Sequence, residues 1–208
     1  MKTITSLIIT AVLTLTIISC QKKGDDVETM MSGFMTAYTD SEGYIAVLVD
    51  DMGNRYMVSD KNGVHEPDTL LRIVASIALD ENNTARILQK VFPFSHKAPE
   101  DASIHDSSRV RDPFEIESIY IGGGFLNMKA NIKVQNELTT HYMAYSRLNT
   151  PGPLRFTIYH DARGDVPVYT KHVYISIPLS GYGLSKKDTV FLSYKGYEED
   201  HELQLIYR

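Results

Sequence analysis

The sequence predicts an all-β protein whose C-terminal half is an antiparallel β-sandwich. Two observations carry this prediction. Hydrophobic and polar residues alternate along many short segments, and clusters of Gly, Pro, Asn and Asp separate these segments. Alternation with a period of two places one face of a strand against a core and the other in solvent, while the clusters are typical of tight turns.

The C-terminal half contains about seven such segments in its 95 residues. They cover residues 117–121, 127–134, 138–145, 154–159, 172–177, 190–194 and 203–207. Half-buried strands at this spacing are typical of two antiparallel sheets packed face to face. We therefore predict a β-sandwich domain over residues 114–208.

Two hairpins are predicted in the N-terminal half. Residues 44–49 are rich in β-branched side chains and end at a turn cluster, and residues 55–59 form the returning strand. In the second hairpin, residues 71–79 alternate, and residues 85–92 return after a turn at residues 80–83. A helix over residues 71–79 is an alternative, because some of its apolar side chains also repeat at helical spacing. We favour strands, since the turn is well marked and no capping pattern is present.

The first 19 residues are predicted to be a signal peptide. Lys2 gives a positive start, and an apolar run over residues 7–18 is too short for a membrane span, which needs about 20 residues. Residues 17–20 resemble the lipobox of bacterial lipoproteins, whose cysteine takes the lipid. An ordinary secreted protein is the alternative. Because Cys20 is the only cysteine in the chain, and a lone thiol is unusual in an exported protein, we expect Cys20 to be lipidated.

Residues 20–31 are predicted to be a flexible tether, because they show no hydrophobic periodicity. Their acidic residues Asp25, Asp26 and Glu28 resemble the signal that sends lipoproteins of Bacteroidetes to the outer face of the outer membrane, although two lysines come first. We expect a lipid-anchored protein of the outer membrane. Both orientations, facing the periplasm and exposed at the surface, stay open.

The remaining chain is predicted to form two domains, over residues 32–97 and 114–208, joined by a polar, proline-bounded linker over residues 98–113. Removal of the signal peptide leaves 20 basic and 26 acidic residues, a net charge of −6. This balance argues against a nucleic-acid partner, which usually requires a basic stripe. No cysteine would remain for a disulfide, so each domain has to be stabilised by its hydrophobic core.

Several segments resemble the NigD-like lipoproteins of Bacteroidetes. They are residues 122–129, 156–161, 174–179 and 188–192 in the C-terminal half, and residues 44–51 are similar to the N-terminal module of that family. The resemblance implies an N-terminal OB-like β-barrel followed by a C-terminal β-sandwich. The family takes its name from an association with bacteriocin production, and the resemblance carries over no catalytic residues.

The sequence contains no recognisable catalytic or metal-binding motif. There is no Gly-x-Ser-x-Gly elbow, and the glycines at 122–124 lack the Lys-Ser/Thr of a phosphate loop, so we predict a bend or bulge there. Residues 60–63 resemble the start of a calcium loop but lack the later ligands, which favours a turn. We expect no catalytic residues, no metal and no cofactor.

The histidines show no metal-ligand spacing along the chain, although His141, His160 and His172 could meet across a sheet. We favour separate histidines that form local hydrogen bonds. One polar cluster is a candidate binding site, and it contains His160, Asp161, Arg163 and Asp165. A charged hairpin tip is the favoured alternative for this cluster.

Two Asp-Thr-apolar triplets resemble the O-glycosylation motif of exported Bacteroidetes proteins. They place candidate modification sites at Thr69 and Thr189. Three residues form such a match easily by chance, and an Asp-Thr pair that begins a strand is an equally good interpretation.

The leading functional hypothesis is a non-enzymatic cell-envelope lipoprotein that binds a protein or glycan partner. A fimbrial-type structural subunit is an alternative, but residues 203–207 have the pattern of a final strand paired in place rather than one exchanged between subunits. A third hypothesis is an enzyme whose site is assembled from scattered residues such as His160 and Asp161. The sequence leaves the oligomeric state open.

Overall fold

The computed structural model of the protein describes residues 28–95, 110–136, 140–148 and 151–208. These residues form twelve β-strands and no helix, which confirms the predicted all-β fold class. The predicted signal peptide, Cys20 and most of the predicted tether and linker lie outside the described residues. In the described part of the chain, no helix is long and apolar enough to span a membrane.

The first five strands close into a barrel. They are β1 (Thr29–Thr39), β2 (Ile45–Asp50), β3 (Arg55–Val58), β4 (Leu70–Leu79) and β5 (Thr84–Val91), in the order β1-β2-β3-β5-β4. Strands β3 and β5 pair in parallel and the other neighbours are antiparallel. A closed five-stranded barrel of this kind agrees with the expected OB-like domain. Its core is filled by apolar side chains, among them Met35, Ile45, Leu48, Ile73 and Ile77.

Strand β4 shows that the alternative helix in this region was wrong. Ile73, Ala75 and Ile77 point into the barrel core, as alternation predicts. The strand pairs with β1 over ten residues on one side and with β5 on the other. Backbone hydrogen bonds to the strands on both sides therefore stabilise the extended conformation of β4, although some of its apolar residues also repeat at helical spacing.

Strand β1 begins at Thr29, so the expectation that the tether extends to residue 31 was wrong by three residues. The sequence of β1 is rich in Met and Thr and contains no Val or Ile, which makes its strand signal weak. The strand is stabilised instead by its pairing with β4. This pairing runs from Thr29 opposite Leu79 to Tyr38 opposite Leu70.

The remaining seven strands form the sandwich. They are β6 (Glu115–Gly122), β7 (Phe125–Val134), β8 (Tyr142–Arg147), β9 (Leu154–Asp161), β10 (Tyr169–Pro178), β11 (Thr189–Lys195) and β12 (Asp200–Ile206). One sheet has the order β10-β7-β6 and the other β12-β11-β9-β8. One neighbouring pair, β9 with β11, is parallel rather than antiparallel, because the chain crosses to the opposite sheet through β10 between them.

Two segments expected in the barrel domain and the linker belong to the sandwich instead. Phe94, predicted in the domain of residues 32–97, forms a β-bridge with Ile175 of β10. Residues 110–113, predicted in the linker, are held on the second sheet by a hydrogen bond from the Asp112 amide to the His160 carbonyl at 2.8 Å. Backbone hydrogen bonds thus attach both ends of the connection to the sandwich. The polar composition of these segments gives no indication of this attachment.

A buried polar network joins the barrel to the sandwich. The Arg72 guanidinium lies 2.5 Å from the Asp51 carboxylate and 3.0 Å from Asn127 Oδ1. Asp51 also accepts hydrogen bonds from the Tyr120 hydroxyl at 2.7 Å and from Asn127 Nδ2 at 3.0 Å. Tyr120 and Asn127 lie in β6 and β7 of the sandwich. The Asp51 carboxylate and the Arg72 guanidinium of the barrel therefore hold the two domains against each other.

The bend predicted at residues 122–124 is the two-residue turn between β6 and β7. Gly123 and Gly124 have φ angles of +59° and +82°, the left-handed conformation that such hairpin turns require and glycine adopts readily. This turn lies against Asp51 of the barrel.

Candidate functional site: a cleft beside a buried histidine pair

A cleft of about 660 Å³ lies at the end of β9. Its polar lining includes His160, Asp161 and Asp165, three of the four residues of the predicted cluster. Its apolar lining consists of Val110, Pro113, Ala162, Pro167 and Tyr197. A volume of this size is within the range of ligand-binding clefts, which are mostly apolar with a few placed polar groups.

The loop that borders the cleft is a crossover between the two sheets. Strand β9 ends at Asp161 in one sheet and β10 begins at Tyr169 in the other. The favoured hairpin tip was therefore wrong, because a hairpin joins neighbouring strands of one sheet. The loop turns where the Asp161 carboxylate accepts a hydrogen bond from the Arg163 amide at 2.7 Å, with Arg163 at a φ of +52°.

Two buried histidines contact each other below the cleft. His141 Nδ1 lies 2.9 Å from His160 Nε2, and His141 Nε2 lies 3.1 Å from a carboxylate oxygen of Asp165. His141 directly precedes β8 and His160 lies near the end of β9, and the antiparallel pairing of these strands brings the rings together. All three side chains are almost fully buried.

The hydrogen-bond network assigns the protons of the neutral pair. A carboxylate accepts hydrogen bonds, so His141 Nε2 donates to Asp165 and His141 Nδ1 is an acceptor. His160 Nε2 then donates to His141, which leaves His160 Nδ1 as a bare acceptor. This buried atom has no hydrogen-bond partner among the described residues.

The surroundings oppose protonation of His160. Burial, followed by repulsion from His141, lowers its pKa below the usual 6.5. The backbone of Asp112 and Pro113 and the carboxylate of Asp112 act in the opposite direction but do not outweigh burial. Burial also acts to raise the pKa of Asp165, yet hydrogen bonds from His141 and from backbone amides outweigh it and lower that pKa.

The stability of the protein is expected to fall as the pH drops from about 7 to about 5. Because the pKa of His160 is lowered in the folded state, the unfolded chain binds the proton first and gains stability from it. The His160 contribution is complete above pH 6.5, the unperturbed value, and is lost as the pH falls towards the folded pKa. The measurement is chemical denaturation across this pH range.

The matched variants for this measurement are His160→Gln and His172→Gln. We expect His160→Gln to flatten the pH dependence and His172→Gln, at an exposed position, to retain it. Equal pH dependence in the wild type and in His160→Gln would show that this ring does not titrate with folding.

The structure brings together only part of the predicted cluster. His160 and Asp165 meet through His141, whereas Asp161 lies at the edge of the cleft. Arg163 is exposed, with its guanidinium 5.9 Å from the centre of the Tyr142 ring. His172 lies apart in the other sheet, where its Nδ1 is 2.7 Å from Asn131 Oδ1.

Other cleft residues had no signal in the sequence. Asp112 lies in a segment that was predicted to be a linker, Lys133 lies on β7, and Tyr197 lies in the turn between β11 and β12. They come from three distant parts of the chain, and none lies in a polar cluster of the kind that marks a site. Only the fold brings them together.

Four exposed apolar side chains lie in segments that line the cleft, and we call them the cleft rim: Val110, Val166, Val168 and Tyr197. Val110 and Tyr197 line the cleft, and the two other valines flank Pro167, which also lines it. Val166 and Val168 are 52% and 60% exposed. Apolar side chains grouped around a concavity mark interaction sites more often than single exposed ones do.

The other predicted positions have structural roles. Among the described residues, no group of three or more His, Cys, Asp and Glu side chains could hold a metal ion. Asp60 accepts hydrogen bonds from the Asn62 side chain and from the Ile87 amide, and residues 61–66 form an irregular loop rather than the predicted turn. Thr69 and Thr189 are half-buried at the starts of β4 and β11, and their modification stays a prediction.

Residues 96–207, more than half of the chain, match the family described as NigD-like C-terminal beta sandwich domain. The chain belongs to the NigD-like family. This confirms the resemblance seen in the sequence. The cleft of this NigD-like chain lies within the matched segment, since its lining runs from Val110 to Tyr197. No curated protein matches the chain.

Several solved structures share the fold of the NigD-like chain. A NigD-like immunity protein from Bacteroides caccae is 24% identical, with a TM-score of 0.72 over 86% of this chain and 97% of that one. A candidate toxin-related protein from Parabacteroides distasonis is 17% identical, with a TM-score of 0.72 over 86% and 94%. A candidate lipoprotein from Bacteroides fragilis is 12% identical, with a TM-score of 0.58 over 86% and 96%. At these identities the likeness shows the fold alone.

Proposed function

We propose that this NigD-like protein is a non-enzymatic lipoprotein of the outer membrane that binds a protein partner through the cleft rim. The observation that carries the proposal is the exposed apolar rim in the segments that line a cleft with buried polar groups. Valine and tyrosine side chains in this arrangement provide apolar contact area around a concave centre, as protein interfaces do. A rim that extends beyond the cleft favours a macromolecular partner over a small molecule.

The predicted lipid anchor supports a location at the membrane. Eight residues separate Cys20 from Thr29, the first residue of the barrel, and the connection can span about 30 Å when extended. A lipidated Cys20 would therefore keep the barrel close to the bilayer. One solved structure of the same fold is a candidate lipoprotein, which agrees with this location.

The hydrogen bonding of the histidine pair argues against nucleophilic catalysis. Such catalysis pairs a hydroxyl or thiol with a basic side chain. Both nitrogens of His141 are bonded to His160 and Asp165, and His160 Nδ1 has no partner among the described residues. In the described part of the chain, no hydroxyl or thiol is hydrogen-bonded to either ring of the pair. A donor-strand role receives no support either, because β12 pairs with β11 of its own chain over seven residues.

The names of two fold relatives, an immunity protein and a candidate toxin-related protein, agree with a role in recognising another protein. Of the protein and glycan partners that the sequence leaves open, we therefore favour a protein.

The proposal is tested by photo-crosslinking in living cells. A photoreactive amino acid is placed at Val168 on the cleft rim or, as a control, at Leu88 on the barrel, which is also exposed. We expect one discrete protein adduct from position 168 and none from position 88. Adducts from position 88 alone, or from neither position, would overturn the proposal.

A further inference from the structure

We infer that the cleft holds a basic side chain, a lysine or an arginine, of the protein partner. This inference rests on the proposed function and specifies the chemistry of the same surface. It follows from the charge of the lining, from the carboxylate oxygens of the described residues that make no hydrogen bond, and from the apolar walls of the cleft.

The charge of the cleft lining favours a cation. Three carboxylates, of Asp112, Asp161 and Asp165, line the cleft together with one ammonium group, of Lys133. Lys133 is already bonded to the Thr170 hydroxyl at 2.7 Å. In a cleft, an excess of negative charge attracts a cation and repels an anion.

Two of these carboxylates retain acceptor capacity. Asp112 uses one oxygen to accept the Ala162 amide at 2.7 Å, and Asp161 uses one oxygen to accept the Arg163 amide. The second oxygen of each makes no hydrogen bond with the described residues. Asp165, in contrast, is occupied by His141 and by backbone amides. Within residues 28–95, 110–136, 140–148 and 151–208, Asp112 and Asp161 are therefore the cleft carboxylates with an oxygen left for a ligand.

The walls of the cleft suit the stem of a basic side chain. Val110, Pro113 and Pro167 offer apolar surface, along which the methylene groups of lysine and arginine pack well. Tyr197 adds an aromatic ring, which attracts a nearby cation. A long apolar stem with a charged donor at its tip thus matches the walls and the polar groups together.

The test uses three blocked pentapeptides that differ only in the central residue of Leu-Val-X-Val-Leu, with X as Arg, Gln or Glu. Binding to the mature full-length protein is measured by calorimetry. We expect the Arg peptide to bind at least tenfold more tightly than the Gln peptide, and the Glu peptide to bind most weakly. Asp161→Asn should reduce the preference for Arg to less than threefold.

The control variant is Glu81→Gln, which changes the charge equally at an exposed turn of the barrel and should leave the preference intact. Equal affinity for the three peptides would overturn the inference while leaving a peptide-binding surface in place. Failure of all three to bind would also overturn it. In that case the crosslinking from position 168 decides separately whether the proposed function stands.

Discussion

Replacing Arg72 with methionine is expected to destabilise the protein by about 3–5 kcal/mol, the usual cost of removing one partner of a buried ion pair. The side chains of Arg72 and Asp51 are only 6% and 11% exposed. Methionine retains much of the apolar stem but leaves the Asp51 carboxylate without its cation. The remaining hydrogen bonds from Tyr120 and Asn127 do not neutralise this charge.

This change should also weaken the connection between the domains. Arg72 belongs to barrel strand β4 but bonds to Asn127 and Ser176 of the sandwich. We expect urea unfolding of Arg72→Met to separate into two transitions, because the barrel and the sandwich would unfold independently. Circular dichroism and tyrosine fluorescence would then give different midpoints.

The matched control is Arg86→Met. Arg86 pairs with Glu28 at 2.8 Å, but both side chains are about half exposed, so the expected loss is below about 1 kcal/mol. If Arg72→Met cost no more than Arg86→Met, the buried network would not be what holds the two domains together.

The second large effect is expected for Gly123→Ala, at about 3 kcal/mol, against about 1 kcal/mol for Gly124→Ala. Both glycines have positive φ angles, so alanine is strained at either position. They differ in their surroundings. A Cβ atom at Gly124 meets open space, whereas one at Gly123 would overlap the Asp51 carboxylate, which Arg72, Tyr120 and Asn127 hold in place.

The difference between these two variants therefore measures the contact between the turn and the barrel. Chemical denaturation gives both values. In the Arg72→Met background Asp51 is held only by Tyr120 and Asn127 and can shift more easily, so the excess cost of Gly123→Ala should shrink, a coupling that a double-mutant cycle detects. Equal costs for the two alanine variants in the wild type would contradict the close approach at Asp51.

The sandwich was predictable because alternation is a local property of each strand. Strands β7, β9 and β11 read clearly as half-buried segments, and each lies where its alternation placed it. Strand β1 was missed because its stability comes from pairing with β4, some forty residues later, rather than from its own composition. The parallel pairing of β9 and β11 likewise depends on the path of the chain between them.

The functional site was predictable only in part. His160 and Asp165 stood out because they lie in one polar cluster, and the possibility that histidines meet across a sheet is realised for His141 and His160. Asp112 could not be found, because nothing in a polar loop indicates which residue will fold back onto a strand. The contact between Arg72 and Asp51 could not be found either. It joins residues 21 positions apart, and both side chains also bond to Asn127 of the second domain.

The central claim, that the cleft rim binds the partner, is tested most directly by the affinity of the partner recovered by crosslinking. It is measured for the wild type, for the double variant Val166→Ser/Val168→Ser and for Met57→Ser, which removes an equally exposed apolar side chain from the barrel. We predict a Kd at least tenfold higher for the rim variant and an unchanged Kd for Met57→Ser. An unchanged Kd for the rim variant, with a loss for Met57→Ser, would contradict the claim and move the binding surface to the barrel.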